Sequence, residues 1–159
     1  MEKAFTHYLK DTDCYLTPHF IQPDFTEGNF EMEASVIIPV RNRVRTIKDA
    51  IDSVLSQETN FPFNLLIVDN HSTDGTTEAI ESYKDHPQVV HIRPERNDLG
   101  IGGCWSTAVN HPQCGRFAVQ LDSDDIYSSP QTLQKIVDGF HEQKCAMLIG
   151  SYRITDFNL

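Results

Sequence analysis

Three carboxylates, Asp122, Asp124 and Asp125, follow directly on the strand-like run FAVQL. Their mutual repulsion costs stability unless a cation, a hydrogen-bond donor or solvent answers it. On the pattern alone two readings stay open: a solvated acidic turn, or an oxygen-donor set for a hard divalent cation. Mg2+ or Mn2+ takes one or two protein carboxylates together with phosphate oxygens and water, so this cluster with a diphosphate opposite it would meet the demand. A cation there would also stabilise charge growing on a departing diphosphate. A calcium-loop reading fails, because D-S-D-D-I-Y lacks a ligand at its fifth position and Gly at its sixth. A further carboxylate, Asp69, closes the run FNLLIVD. It can accept a hydrogen bond from a base or sugar, or act as a turn or helix-capping residue. The stretch Ser72 to Thr77 behind it reads as a turn.

The elements that must hold these side chains begin at Ala34. SVIIPV is a β-branched run typical of a strand buried on both faces, with Pro39 expected to end it. Ile47, Ala50, Ile51, Val54 and Leu55 form the stripe of an amphipathic helix. FNLLIVD is a second buried strand, and STDGTTEAIESYK starts a helix with Ala79, Ile80 and Tyr83 inward. VVHI is a third strand, GGCWSTAVN a helix despite its glycines, and FAVQL a fourth strand. In SSPQTLQKIVDGF, Ser129 reads as the N-cap and Pro130 as the first helical residue, with Leu133, Ile136, Val137 and Phe140 inward. CAMLIGSY reads as a fifth strand.

Alternating strands and helices imply an α/β protein with a doubly wound, mostly parallel sheet. Such sheets bind ligands beyond the carboxyl ends of their strands. Three polar stretches follow strands and are expected at one edge: Pro39-Val40-Arg41-Asn42, Asp69-Asn70-His71-Ser72 and Asp122-Ser123-Asp124-Asp125. Pro39, with its fixed φ, would help present the next backbone groups to a flat ligand. His71 reads as a loop histidine. Arg93 and Arg96 could reach phosphate, although the surface is the commoner fate of such arginines.

The chain's 159 residues fit one domain with a real core. Residues 1–33 lack sustained periodicity and read as an extension that packs on the domain through Phe5, Tyr8, Tyr15, Phe20, Phe25 and Phe30, with Gly28 and Asn29 at the entry to the domain proper. A formal net charge of −10, from 13 basic and 23 acidic residues, argues against a non-specific nucleic-acid binder. The four cysteines show no zinc spacing and no signal-peptide pattern opens the chain, which favours a cytoplasmic setting. The apolar runs are too short to span a bilayer, and a membrane association carried elsewhere in a longer parent protein stays open.

The order SVIIPVRN, LLIVDNHSTDGT, RNDLGIGG, FAVQLDSDD closely resembles the inverting family 2 glycosyltransferases of the GT-A, Rossmann-like fold, from about Ser35 to the end of the chain. The resemblance implies that Pro39, Val40, Arg41 and Asn42, with Asp69, hold the base of a nucleotide-sugar donor, usually uracil. It maps the DxD motif onto Asp122-Ser123-Asp124, with Asp122 at the ribose or metal shell and Asp124 on an Mg2+ or Mn2+ ion. Two places depart from the family pattern. Asn70 stands where a second Asp is common, and Trp105 and Ser106 stand where many members carry an Arg-Asn pair. Trp105 either stacks on the base or fills the core, and the area of a lone Trp favours the core.

Inverting transfer needs a general base for the acceptor hydroxyl. The resemblance implies an Asp or Glu past the DxD motif, downstream of this chain, and nothing places Asp156 in that role. The expectation is therefore a donor-binding half, residues 34–159, with the acceptor part absent, catalysis weak, and an exposed seam that promotes self-association. The acceptor, whether glycan, lipid or small molecule, is unread. Two other readings remain: a non-catalytic nucleotide-binding module of the same fold, and a phosphatase of the haloacid dehalogenase type, in which the first Asp of DxD is the nucleophile. The latter normally carries its motif on the first strand, whereas three strands precede it here.

Overall fold

A computed structural model describes residues 2–17, 19 and 21–156 of the chain. Its centre is a four-stranded parallel sheet of order β3-β2-β1-β4, with β1 at Ala34–Val40, β2 at Phe63–Asp69, β3 at Val89–Ile92 and β4 at Phe117–Gln120. The helices are α1 (Glu2–Asp11), α2 (Ile47–Leu55), α3 (Thr76–Glu81), α4 (Gly100–Val109) and α5 (Thr132–Gln143). β1 and β2 are buried at every position, as largely apolar runs in the middle of a parallel sheet must be.

The strand order dictates where the helices lie. From β1 to β3 the chain steps one way across the sheet, so right-handed crossovers put α2 and α3 on one face. From β3 it jumps back past β1 to β4, and the same handedness puts α4 on the other face. The core divides accordingly. Ile47, Ile51, Val54, Ile80, Leu133 and Val137 pack with Val36, Ile38, Leu65 and Ile67 on one side. Cys104 and Ala108 of α4 pack with Ile37, Leu66 and Val68 on the other, and Trp105 lies partly buried against them. This reversal makes the gap between the carboxyl ends of β1 and β4 the switch point of the sheet.

Pro39 lies inside β1 rather than ending it, in register with Val68, and the strand runs on to Val40. The sequence argument against a strand proline rests on its missing N–H. Ile37 O accepts from Leu121 N–H on the β4 side, and Val40 O accepts from Asn70 N–H on the β2 side. Pro39 shares the parity of Ile37 and so faces β4, where the ladder has already ended at Ile37↔Gln120. A donor is missing only where no acceptor stands opposite. The same divergence opens the switch-point crevice.

Other expectations are corrected. α5 starts at Thr132, later than the Ser129 cap and Pro130 start read from sequence. The N–H of Leu133 is satisfied by Gln57 Oε1 at 2.9 Å, a distant side chain that does the capping instead. No fifth strand forms over residues 145–152, and Met147, Ile149 and Tyr152 are exposed. The aromatic-rich extension contains a helix, α1, with Phe5 and Tyr8 exposed rather than packed. Phe25 does reach the core, edge-on to Phe117 at 5.0 Å, and Phe30 lies under the Arg116 guanidinium at 4.9 Å. Phe20 lies outside the described residues.

A loop rim at the sheet switch point

Three loops meet beyond the carboxyl ends of the strands. The first follows β1. Asn42 is held at φ 55°, and its backbone N–H donates to Ser72 Oγ at 3.0 Å while its Oδ1 accepts from Thr73 N–H at 2.8 Å. Arg43 N–H donates to Thr76 Oγ1 at 2.8 Å and Val44 N–H to Asp74 Oδ2 at 3.2 Å. The second loop, after β2, is thus more than the turn read from sequence: Ser72, Asp74 and Thr76 form a clamp that fixes the first. Gly75, at φ 99°, opens α3 in a conformation that a side chain would strain. His71 also has positive φ, at 57°, and its Nε2 meets Pro94 O at 2.8 Å.

The third loop follows β4. Thr46 Oγ1, just before α2, donates to Ser123 O at 2.8 Å across the switch point. Arg43 Nε lies 3.6 Å from Asp124 Oδ2. Asp69 is therefore linked to Asp124 by a continuous path: Asp69 to Ser72, Ser72 to Asn42, then Arg43 to Asp124. The loops lie on one rim.

Within that rim the residues singled out from sequence differ sharply. Arg41 and Asn42 are exposed, and Arg41 Nη1 donates to Asn97 O at 3.3 Å. Pro39, Val40 and Ser123 are buried, which leaves Val40 and Ser123 anchored through their carbonyls. Asp69 has no exposed surface: Oδ1 accepts from Ser72 N–H at 2.9 Å, Oδ2 accepts from the Thr77 hydroxyl at 2.5 Å, and His91 Nε2 stands 3.7 Å away. Burial alone would raise its pKa, but the nearby His91 imidazole and the hydrogen bonds from Thr77 and Ser72 outweigh burial and hold the carboxyl well below the usual range. Asp69 is thus a buried turn anchor.

Its neighbour is the reverse. Asn70 is 5% exposed, and its Oδ1 is buried with no hydrogen-bond partner. Such an acceptor is costly to leave unmet. The sequence places Asn70 in the polar stretch after β2 and marks it as a departure from the family pattern, without assigning it a role. Of the other arginines considered, Arg96 grips Asp98 through two contacts of 2.9 Å, and Arg93 is exposed.

The acidic loop is open. Asp122 is half-buried, with Oδ1 accepting from Gln120 Nε2 at 3.0 Å, while Asp124 and Asp125 are exposed. Burial, then the charges of Asp122 and Asp124, push the Asp125 carboxyl above its usual range. Among the described residues no three His, Cys, Asp or Glu side chains form a ready-made metal cage. The donor set fits the other mode, one or two carboxylates completed by ligand and water oxygens, which suits Mg2+ or Mn2+. A cavity of about 320 Å³ lined by Glu33, Phe61, Val137 and His141 lies at the opposite ends of the strands.

The family model for Glycosyl transferase family 2 matches residues 35–158. Among relatives, TuaG of Bacillus subtilis, named as a teichuronic acid biosynthesis glycosyltransferase, is 30% identical over 126 residues, covering 79% of this chain and 49% of TuaG. The crystal structure of residues 1–349 of Staphylococcus aureus TarS in complex with UDP is 30% identical with a TM-score of 0.60, covering 70% of this chain and 32% of that one. The same TarS fragment in complex with UDP-GlcNAc matches at 28% identity and a TM-score of 0.58, with the same coverage. The chain spans about half the length of TuaG and a third of the TarS fragment. Among the described residues no helix is long and apolar enough to cross a membrane.

Proposed function

The chain belongs to glycosyl transferase family 2, and from that premise we propose that its rim captures the nucleotide diphosphate of a UDP-sugar donor for transfer to an acceptor. The observation that carries this reading is the convergence of the three loops on the switch point, the place where open α/β sheets hold nucleotides. The TarS structures that match hold UDP and UDP-GlcNAc, which favours uracil as the base.

In this reading the base lies along Pro39, Val40, Arg41 and Asn42. Asp69 supports it from inside, since its oxygens are committed to the loop, and the unpartnered Asn70 Oδ1 faces the base edge. Asp122 and Ser123 border the ribose, and Asp124, with Asp122, offers oxygen to an Mg2+ or Mn2+ ion. When bound, that ion would neutralise charge on the leaving diphosphate. The contribution of the chain's own residues is positional: clamped loops hold the donor in one orientation before reaction. Transfer also requires a general base for the acceptor hydroxyl, and the rim residues are committed to the donor.

Calorimetric titration with UDP, with and without Mn2+, tests the proposal. The expected result is UDP binding that needs the cation and is abolished by Asp124→Ala. Binding that is indifferent to both would overturn it. Hydrolysis of a phosphate ester lost on Asp122→Asn would point to a phosphatase instead, and UDP binding without sugar transfer in a longer version of the protein would leave a non-catalytic module.

A further inference from the structure

Arg43 lies in the turn before α2, its N–H held by Thr76 Oγ1 at 2.8 Å and its carbonyl accepting Ile47 N–H at 3.0 Å. The backbone is pinned, so the guanidinium swings from a fixed point. Its Nη1 donates to Asn42 O at 3.1 Å, and its Nε lies 3.6 Å from Asp124 Oδ2. The two side chains are 49% and 54% exposed. The Arg96–Asp98 pair in the same protein shows what a committed arginine does: two contacts of 2.9 Å in a fork. By that standard the Arg43 contact is loose, and it stands at a carboxylate assigned to a cation.

We propose that Arg43 is an exchangeable counter-ion of Asp124: without donor it neutralises the carboxylate, a divalent cation must displace it, and the freed guanidinium then meets the donor diphosphate. The inference rests on the reading of Asp124 as a cation ligand. A guanidinium and a divalent ion at one carboxylate repel each other, so Arg43 weakens binding of the cation alone. The diphosphate gives the displaced guanidinium a new partner of matching geometry. Cation and nucleotide are therefore favoured together over either alone. Removal of Arg43 acts in opposite directions on the two, a signature that simple damage to the loop does not produce.

The experiment is a titration with Mn2+ alone, followed by UDP at saturating Mn2+, on the wild-type chain and on Arg43→Gln, Arg43→Lys and Asp124→Asn. Arg43→Gln is expected to bind Mn2+ about three- to tenfold more tightly at low salt, from the exposed-pair and charge-repulsion contributions. That gap narrows as salt is raised. Arg43→Lys, which keeps the charge, stays near wild type, and Asp124→Asn loses Mn2+. UDP affinity in Arg43→Gln falls at least about threefold, the loss of one exposed charge-assisted contact. If Mn2+ affinity is unchanged or lower in Arg43→Gln while Asp124→Asn still abolishes it, the counter-ion role is overturned and the cation reading survives. Tighter Mn2+ binding with unchanged UDP affinity overturns the hand-over to diphosphate. Mn2+ binding that ignores Asp124→Asn overturns the cation reading and this inference with it.

Discussion

Thr46 Oγ1 donates to Ser123 O at 2.8 Å, tying the residue before α2 to the acidic loop after β4. These residues stand on either side of the point where β4 has left β1, so no backbone ladder holds the two sides together there. The hydroxyl does so instead. Thr46→Val keeps the shape and removes the donor. It is expected to cost about 1 kcal/mol in stability, the usual worth of one such bond. It should also weaken cation-dependent UDP binding by more than that, because the position of Asp124 is loosened. Paired chemical denaturation and calorimetry would measure both, and equal losses in the two would contradict the positional role.

Asp69 predicts a pH dependence. Its carboxyl is held below the usual range: burial pushes the other way, and the His91 imidazole with the Thr77 and Ser72 hydrogen bonds prevails. A depressed carboxylate contributes stability that is complete above the unfolded pKa, near pH 4, and is lost as pH falls through the lower native value. Asp69→Ala should therefore cost about 2–3 kcal/mol near pH 7, leaving the Ser72 N–H and Thr77 hydroxyl without their acceptor. The gap to wild type should narrow under acid, as the charge-dependent part of the loss disappears. Urea denaturation across pH 2 to 7 measures it, roughly over the window those pKa values set. A gap that is constant down to the lowest pH would show that the charge contributes nothing.

The orphaned Asn70 Oδ1 predicts how strictly the base is read. An amide can accept from N3–H of uracil or, turned over, donate to N3 of cytosine, whereas a carboxylate can only accept. Wild type should discriminate between UDP and CDP only modestly. Asn70→Asp should disfavour CDP by a further factor of about ten or more, the cost of an unmet polar contact. Competition binding would show it. An unchanged ratio would remove Asn70 from the base site.

Tyr127 Oη is buried without a hydrogen-bond partner, and burial holds its phenol above the ordinary range. Deleting such a hydroxyl spares an unanswered desolvation, so Tyr127→Phe should be neutral or stabilising by about 1 kcal/mol. Thermal unfolding would detect a loss of similar size as easily, and that loss would mean the hydroxyl does bond.

The strands β1 and β2 are readable because a parallel strand buried on both faces is apolar along most of its length, broken here only by the mutually bonded Ser35 and Asn64 and by Asp69 at the end of β2. The three rim loops were readable as followers of strands. What failed depended on partners distant in the chain. CAMLIGSY has the composition of a strand, but no neighbouring strand pairs with it among the described residues, and composition carries no information about pairing. The start of α5 is set by Gln57, which no local capping rule would select. Asp69 and Asn70 are both buried and differ in their partners, Ser72 and Thr77 meeting the Asp69 oxygens while Asn70 Oδ1 has no hydrogen-bond partner, a difference that only the folded loop reveals. A motif match treats them as one unit. Arg43 and Thr46 carry no local signal, because their partners Asp124 and Ser123 lie some eighty residues along the chain.

The central claim is that a nucleotide lies across all three loops at once. Backbone amide NMR spectra recorded while UDP and Mg2+ are added test it most directly. The account predicts that amides at 40–43, 70–73 and 122–125 shift together with a single apparent affinity, while Glu33 and His141 at the far ends of the strands stay still. Shifts confined to one loop, or centred on the cavity beside Glu33 and His141, would contradict it.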